Sequence, residues 1–199
     1  KTYWSRHLEK IGFKRYSCDE LIAAELEILT LGGVTDFDSM AKWLGFPFET
    51  DYSENAATYL ALEEQVLAAL IDELSDTNSE ELENVVFDTT GSVLYLDSGL
   101  LDLLQELTTV VHLTTPPVVR EKLLQRYITK PRPILWGDHY KPLPDEDPYE
   151  ALNRCYNELL SRRERGYAKI ARVTIDYDQR NHKGFGPAEL VAEVERQLQ

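Results

Sequence analysis

The stretch Val85–Val93, Val-Val-Phe-Asp-Thr-Thr-Gly-Ser-Val, constrains the fold of this chain more than any other. A short run of β-branched and aromatic residues without polar alternation reads as a strand buried on both faces, the kind that parallel sheets contain. The run ends in Asp88 and then in a turn of small residues. In open α/β sheets ligands bind at the C-terminal edge of the strands. Asp88 and the turn Thr90-Gly91-Ser92 are therefore candidates for chemistry, although an Asp in that place can also simply cap its turn.

Three more short runs have strand character: Phe13–Cys18, Thr109–Thr114 and Ala171–Asp176. Apolar spacing predicts helices over Lys1–Lys10, Leu21–Leu31, Asp36–Trp43, Asn55–Leu74, Ser98–Leu107, Pro117–Tyr127, Glu150–Lys169 and Pro187–Leu198. Gly12 is placed to end the first helix. Asp19-Glu20 open the second, where acids suit the helix dipole, and Asp19 is a candidate N-cap. Asp36 and Ser98 are N-cap candidates too, and Pro117 and Pro187 suit early helical positions. Ser75–Glu83 is polar and acidic and reads as a surface loop. Lys130–Pro148 carries five prolines and reads as a mobile lid-like insertion. Strands alternating with helices predict parallel βαβ units in a doubly wound sheet, one α/β domain over residues 1–199.

The net charge of −14, from 21 Lys and Arg against 35 Asp and Glu, argues against binding nucleic acid or an anionic membrane through a general basic patch. No apolar run is long enough to span a bilayer. Cys18 and Cys155, far apart and outside any metal-ligand spacing, are expected as free buried thiols in a reducing compartment. The expectation is a cytoplasmic monomer, with a removed leader left open by the abrupt start. His7, His112, His139 and His182 form no nucleophile or metal constellation, and His112 reads as a core residue.

Lys1-Thr2 before a helix matches the tail of the phosphate-loop pattern G-x-x-x-x-G-K-[ST], in which the Lys reaches the outer phosphates and the hydroxyl serves magnesium. From there onward six segments follow one order. Tyr16-Ser17-Cys18-Asp19 resembles a strand ending in Asp-x-Asp, and Tyr59–Glu63 a Phe-Arg-x-x-Glu helix. Asp88–Ser92 resembles an Ala-Thr-Gly-Gly-Gly loop, and Arg132-Pro133-Ile134-Leu135 a lid Arg-Pro-Leu-Leu. Arg163–Tyr167 resembles an Arg-x-x-x-Tyr helix. Ile175-Asp176 with Gly186–Val191 resembles an adenine-side loop and final helix. In this order they resemble the shikimate-kinase branch of the P-loop small-molecule kinases.

The resemblance implies a P-loop NTPase-type three-layer sandwich, a parallel sheet with helices on both faces, whose first strand and phosphate loop lie upstream of Lys1. It implies ATP and Mg2+ as cofactors and a small-molecule acceptor. Lys1, Thr2 and Arg132 would bind the nucleotide, with Thr2 and Asp88 at the metal. Asp88 and Arg132 would be catalytic. Asp19, Arg163, Thr90, Gly91 and Ser92 would meet the acceptor. Ser17, Leu60, Thr90 and Ser92 stand where the family has Asp, Arg, Gly and Gly. Leu cannot grip a carboxylate, and two β-carbons intrude where bare backbone would approach a ring. The expected acceptor is thus a hydroxylated metabolite other than shikimate. The alternatives are a catalytically inactive nucleotide sensor or interaction module, and a nucleoside or nucleotide kinase with Trp136, Tyr140 or Phe87 against the base.

Overall fold

The computed structural model describes residues 1–76 and 84–199. In chain order these form α1 (Thr2–Glu9), β1 (Lys14–Ser17), α2 (Cys18–Leu29), α3 (Phe37–Leu44), α4 (Tyr52–Asp76), β2 (Val85–Asp88), α5 (Ser98–Leu107), β3 (Val111–Leu113), α6 (Pro117–Thr129), α7 (Pro148–Ile170), β4 (Val173–Ile175), α8 (Tyr177–Arg180) and α9 (Pro187–Leu198). A 3-10 turn, Val93–Tyr95, leads from β2 towards α5. The chain is mixed α/β and mostly helical. No helix among the described residues is long and apolar enough to cross a membrane.

The strands are parallel but fall into two pairs. β1 pairs with β2 from Lys14 opposite Val85 to Ser17 opposite Asp88. β3 pairs with β4 from Val111 opposite Val173 to Leu113 opposite Ile175. Val85, Val86 and Phe87 are half-buried rather than buried. The physical reason is that β2 has a hydrogen-bonded neighbour on one side only among the described residues. The two pairs nevertheless share a core. Trp4 and Leu8 of α1, Val173 and Ile175 of β4, and Leu190 of α9 form one buried cluster, against which Val86 of β2 and Val111 and Leu113 of β3 pack. The largest cluster lies between α2, α3, α4, α6 and α7 and includes Ile22, Leu26, Met40, Tyr59, Leu124, Trp136 and Leu159.

Helix starts follow local chemistry, with three departures from expectation. Asp36 caps α3 as expected, its Oδ1 accepting the Ser39 N–H at 2.7 Å. The cap of α2, however, is Ser17, whose hydroxyl accepts the Glu20 N–H. Ser17 comes two residues before Asp19 and takes the role first, so Asp19 lies inside the first turn with its carboxylate free for other partners. Asp97, not Ser98, caps α5 by accepting the Gly99 N–H at 2.8 Å. α4 begins at Tyr52 and runs through Asp76, taking in the first two residues of the expected loop over Ser75–Glu83. The remainder of that loop lies outside the described residues.

The segment 130–148 carries no helix or strand before Pro148, yet its middle is anchored. Trp136 is 0% exposed and packs among Tyr127, Tyr140 and Tyr156. Its backbone N–H donates to the Tyr52 hydroxyl at 2.7 Å, and that hydroxyl donates to the Ile134 carbonyl at 3.0 Å. A proline-rich stretch has no periodicity to announce such burial, because a single ring in a cage of rings needs none.

Candidate active site

The register of β1 on β2 sets Ser17 beside Asp88, so both strands release their next residues at one edge. Asp88 is the buried end of β2, with a side chain 0% exposed. Its Oδ1 accepts from Lys1 Nζ at 3.0 Å and its Oδ2 from Ser5 Oγ at 3.1 Å. The Arg15 guanidinium stands 3.7 Å from Oδ2 and donates through Nε to Ser5 Oγ at 3.0 Å. Burial alone would push the Asp88 carboxyl up. The Lys1 charge and hydrogen bonds from Lys1, Thr2 and Ser5 outweigh it and hold the group below its ordinary range. Asp88 therefore does not cap its turn; it receives the N-terminal turn of α1.

Lys1 joins Asp88 to Asp19. Its Nζ donates to Asp19 Oδ2 at 3.1 Å, and Asp19 Oδ1 accepts from Tyr59 Oη of α4 at 3.0 Å. Burial opposes the ammonium, but the two carboxylates prevail and raise the Lys1 pKa. An ammonium has three N–H donors. Two are used here, and the Lys1 side chain is still 42% exposed. One donor and one exposed positive charge thus remain at the strand edge for an incoming anion.

The turn after Asp88 is held from two sides. Thr90 and Ser92 both donate their hydroxyls to the Glu63 carboxylate of α4, and their oxygens lie 2.9 Å from each other. Glu63 is 2% exposed. Burial pushes its carboxyl up to about 7, against the two hydroxyl donors and the more distant Arg163 charge, which lower it. On the other side the Gly91 carbonyl accepts from Tyr167 Oη at 2.6 Å. A β-carbon on Gly91 would lie 2.9 Å from Nη1 of Arg163. Bare backbone is required at this one position of the turn because the guanidinium lies against it.

Arg163 itself is 7% exposed. It donates to the Leu135 carbonyl and, at 3.4 Å, to Tyr95 Oη, with its guanidinium 5.4 Å from the centre of the Tyr95 ring. Among the described residues no carboxylate lies within ion-pair distance of it, and its Nη1 makes no hydrogen bond. A buried cation without a counter-charge is costly unless polar groups or a ligand compensate it.

The structure thus brings Lys1, Thr2, Asp19 and Asp88 into direct contact and sets Thr90, Gly91, Ser92 and Arg163 around the adjoining turn. Arg132 is not among them. It is exposed, and its guanidinium lies over the Phe37 ring of α3 at 4.9 Å. Trp136 and Tyr140 are taken up by the core, and Phe87 packs against the same cluster. Cys18 and Cys155 are free and buried, and burial raises the Cys18 thiol to about 12.

Glu63, Tyr59, Ser5 and Arg15 belong to the site and were not candidates from the sequence. Glu63 had two legible signals: it stands at the Glu of the Phe-Arg-x-x-Glu resemblance, and with Tyr59, Leu62, Val66, Leu67 and Leu70 it lies at helical spacing on the apolar face of α4. An acid on a core-facing stripe needs partners, and its partners are the two hydroxyls of the turn.

Two cavities lie elsewhere. One of about 450 Å3 opens where β3 and β4 end, lined by Thr114, Thr115, Arg120, Glu164, Asp176 and Tyr177 among others. His112 of β3 is buried, with Nε2 3.3 Å from Glu164 Oε1 and neither ring nitrogen in a hydrogen bond. The other, about 350 Å3, lies between α3 and α4 around Trp43, Glu49 and Asp51 and shares no residue with the carboxylate cluster. Among the described residues no group of three or more His, Cys, Asp or Glu is arranged to hold a metal by itself. Neither a family model, nor a curated protein, nor a solved structure matches this chain.

Proposed function

We propose that this chain is the body of an ATP-dependent kinase that phosphorylates a hydroxyl of a small metabolite other than shikimate. The observation that carries the reading is Lys1 bridging Asp19 and Asp88 at the aligned ends of β1 and β2. A spare ammonium donor there suits a phosphate oxygen. Two carboxylates beside it suit a hydroxyl or a cation. The finer architecture belongs to the same proposal: the two strand pairs are halves of one parallel sheet in a three-layer P-loop sandwich. The parallel pairing within each and the core cluster shared by β2, β3 and β4 favour it.

Phosphoryl transfer asks a protein mostly for positioning and charge neutralisation. Lys1 supplies positive charge to the phosphates. Magnesium takes oxygen ligands and is usually bound by one or two carboxylates plus substrate phosphates. The Asp88 carboxylate and the Thr2 hydroxyl would supply oxygen donors of that kind, Asp88 in place of part of its bonding to Lys1 and Ser5. When bound, the metal would offset charge on the transferring group. Asp19, held by Tyr59, orients the accepting hydroxyl, and the unpaired Arg163 takes an anionic group of the acceptor. Arg132 closes over the phosphates only by leaving Phe37.

That last requirement favours a second reading, a nucleotide sensor that binds without turnover, in which Arg132 stays on Phe37. One experiment separates the two. Calorimetry with MgATP on the full-length protein, followed by a turnover screen across hydroxylated metabolites, should give magnesium-dependent binding and a turned-over acceptor. Binding without any acceptor supports the sensor, and the absence of magnesium-dependent binding removes both.

A further inference from the structure

Arg163 and Glu63 present an unusual pairing problem. Each is more than nine-tenths buried, their ionised forms carry opposite charges, and they stand on opposite sides of one turn. Glu63 is bonded to residues 90 and 92, and Arg163 lies against residue 91. Opposite charges in a poorly solvated interior attract strongly, and a pair would relieve both desolvation costs. Yet the structure keeps them apart. Glu63 accepts two hydroxyl donors, while Arg163 spends its donors on the Leu135 carbonyl and Tyr95 and leaves Nη1 unused.

We propose that the Thr90 and Ser92 hydroxyls are a latch that holds Glu63 away from Arg163, so that the buried guanidinium stays available to an oxyanion of the acceptor. The inference rests on the reading of Arg163 as the acceptor's anion site and adds the residues that keep that site open. The latch is the function of the two side chains that stand where the resembling family has glycine. The Gly91 backbone between them lets the guanidinium approach, and Tyr167 fixes its carbonyl. Thr90 and Ser92 thereby set specificity without needing to touch the acceptor. They are positioning residues, acting through Glu63.

The test starts with the titration of Glu63, read by carboxyl carbon NMR, in the wild type and in Thr90→Val with Ser92→Ala. The charged or titratable groups around Glu63 are Asp19 and Cys18 of α2, Tyr59 of α4, and Arg163 and Tyr167 of α7. Only Arg163 among them can lower its midpoint once the hydroxyls are gone. If Glu63 swings to Arg163, the midpoint falls by at least one pH unit from the wild-type value. If the hydroxyls merely solvated Glu63, burial is left unopposed and the midpoint rises, which overturns the proposal.

A second readout uses the Arg163 side-chain N–H signals with inorganic phosphate and, separately, acetate as probes. The wild type should respond to at least one anion, and the two arms tell phosphate from carboxylate preference. The double variant should lose at least tenfold in affinity, and adding Glu63→Gln should restore it. A wild type whose Arg163 signals respond to neither anion, or a double variant that binds as well as wild type, refutes the latch. Recovery in the triple variant also shows that these substitutions fold. MgATP calorimetry on the same samples tests the kinase reading on its own, since anion response at Arg163 does not depend on nucleotide.

Discussion

Glu63 couples the candidate site to pH. Its folded value of about 7 lies above the ordinary 4.5 of an unfolded glutamate. Between those values the folded state holds the extra proton, so stability from this group falls as pH rises from about 4.5 to about 7 and stays low above. The effect is worth roughly 3 kcal/mol across the window. Glu63→Gln should flatten that slope and leave the protein more stable than wild type at pH 8, as urea melts at several pH values would show. Asp88 has the opposite sign. Its folded value is depressed, so its contribution is present above pH 4 and lost as the pH falls below that. Gly91→Ala should cost about 1–3 kcal/mol, because the guanidinium it would strike is itself buried and bonded. The expected accompaniment is weaker phosphate or acetate response at Arg163; an unchanged response with unchanged stability would contradict the close approach. At this scale the sequence was only partly legible. Asp88, Lys1 and the 90–92 turn stood out because an acid at the end of an apolar run is conspicuous. Asp19 was open to reading as a cap because it sits where the helix begins; Ser17, two residues earlier, takes that role. Ser5 and Arg15 look like ordinary surface residues until β1 and α1 are folded together.

Among the elements, the anchored segment 130–148 has the most testable consequence. Tyr52 both accepts from Trp136 and donates to Ile134, so one hydroxyl ties α4 to the middle of that segment. Tyr52→Phe leaves a buried N–H and a carbonyl without that partner, at a cost of about 1–3 kcal/mol. Amide exchange of residues 134–136 should rise in this variant. Equal exchange in both proteins would show that Trp136 packing alone anchors the loop. Trp136→Ala should cost more, about 3–5 kcal/mol, through the cavity left among Tyr127, Tyr140 and Tyr156. The strands were legible as runs of Val, Phe and Ile, and most helices as apolar stripes. Their pairing into two parallel twos was not, because partners such as Lys14 and Val85 are joined only through the intervening helices. Pairing over such distances is a property of the assembled core rather than of any local window.

For the whole molecule, a net charge of −14 means that the folded chain repels itself. Screening by salt weakens that repulsion with a Debye length of about 8 Å at physiological ionic strength. Raising sodium chloride from 0.02 to about 0.3 M, a range over which the Debye length shortens several-fold, should therefore raise the thermal midpoint. A midpoint that falls instead would mean that exposed ion pairs such as Arg154 with Glu146 outweigh the general repulsion. Overall charge and class were readable from composition. Of the few cations that matter against the acidic background, Lys1 and Arg163 were candidates from their motifs, and Arg15 was not.

Helix α1 carries one further consequence. Its first residues tie it to Asp88 and, through Lys1, to Asp19, while Trp4 and Leu8 fill the cluster that β4 and α9 share. It is thus a crossbeam between the two strand pairs, loaded electrostatically at one end and by apolar contact along its length. Both pairs therefore share the contacts that α1 makes, and unseating it would expose apolar surface of each. Heating should therefore produce a single calorimetric transition whose van't Hoff and calorimetric enthalpies agree. Leu8→Ala, a substitution in the apolar cluster and not at the Asp88–Lys1–Asp19 contacts, should lower the melting of both halves together rather than splitting it in two.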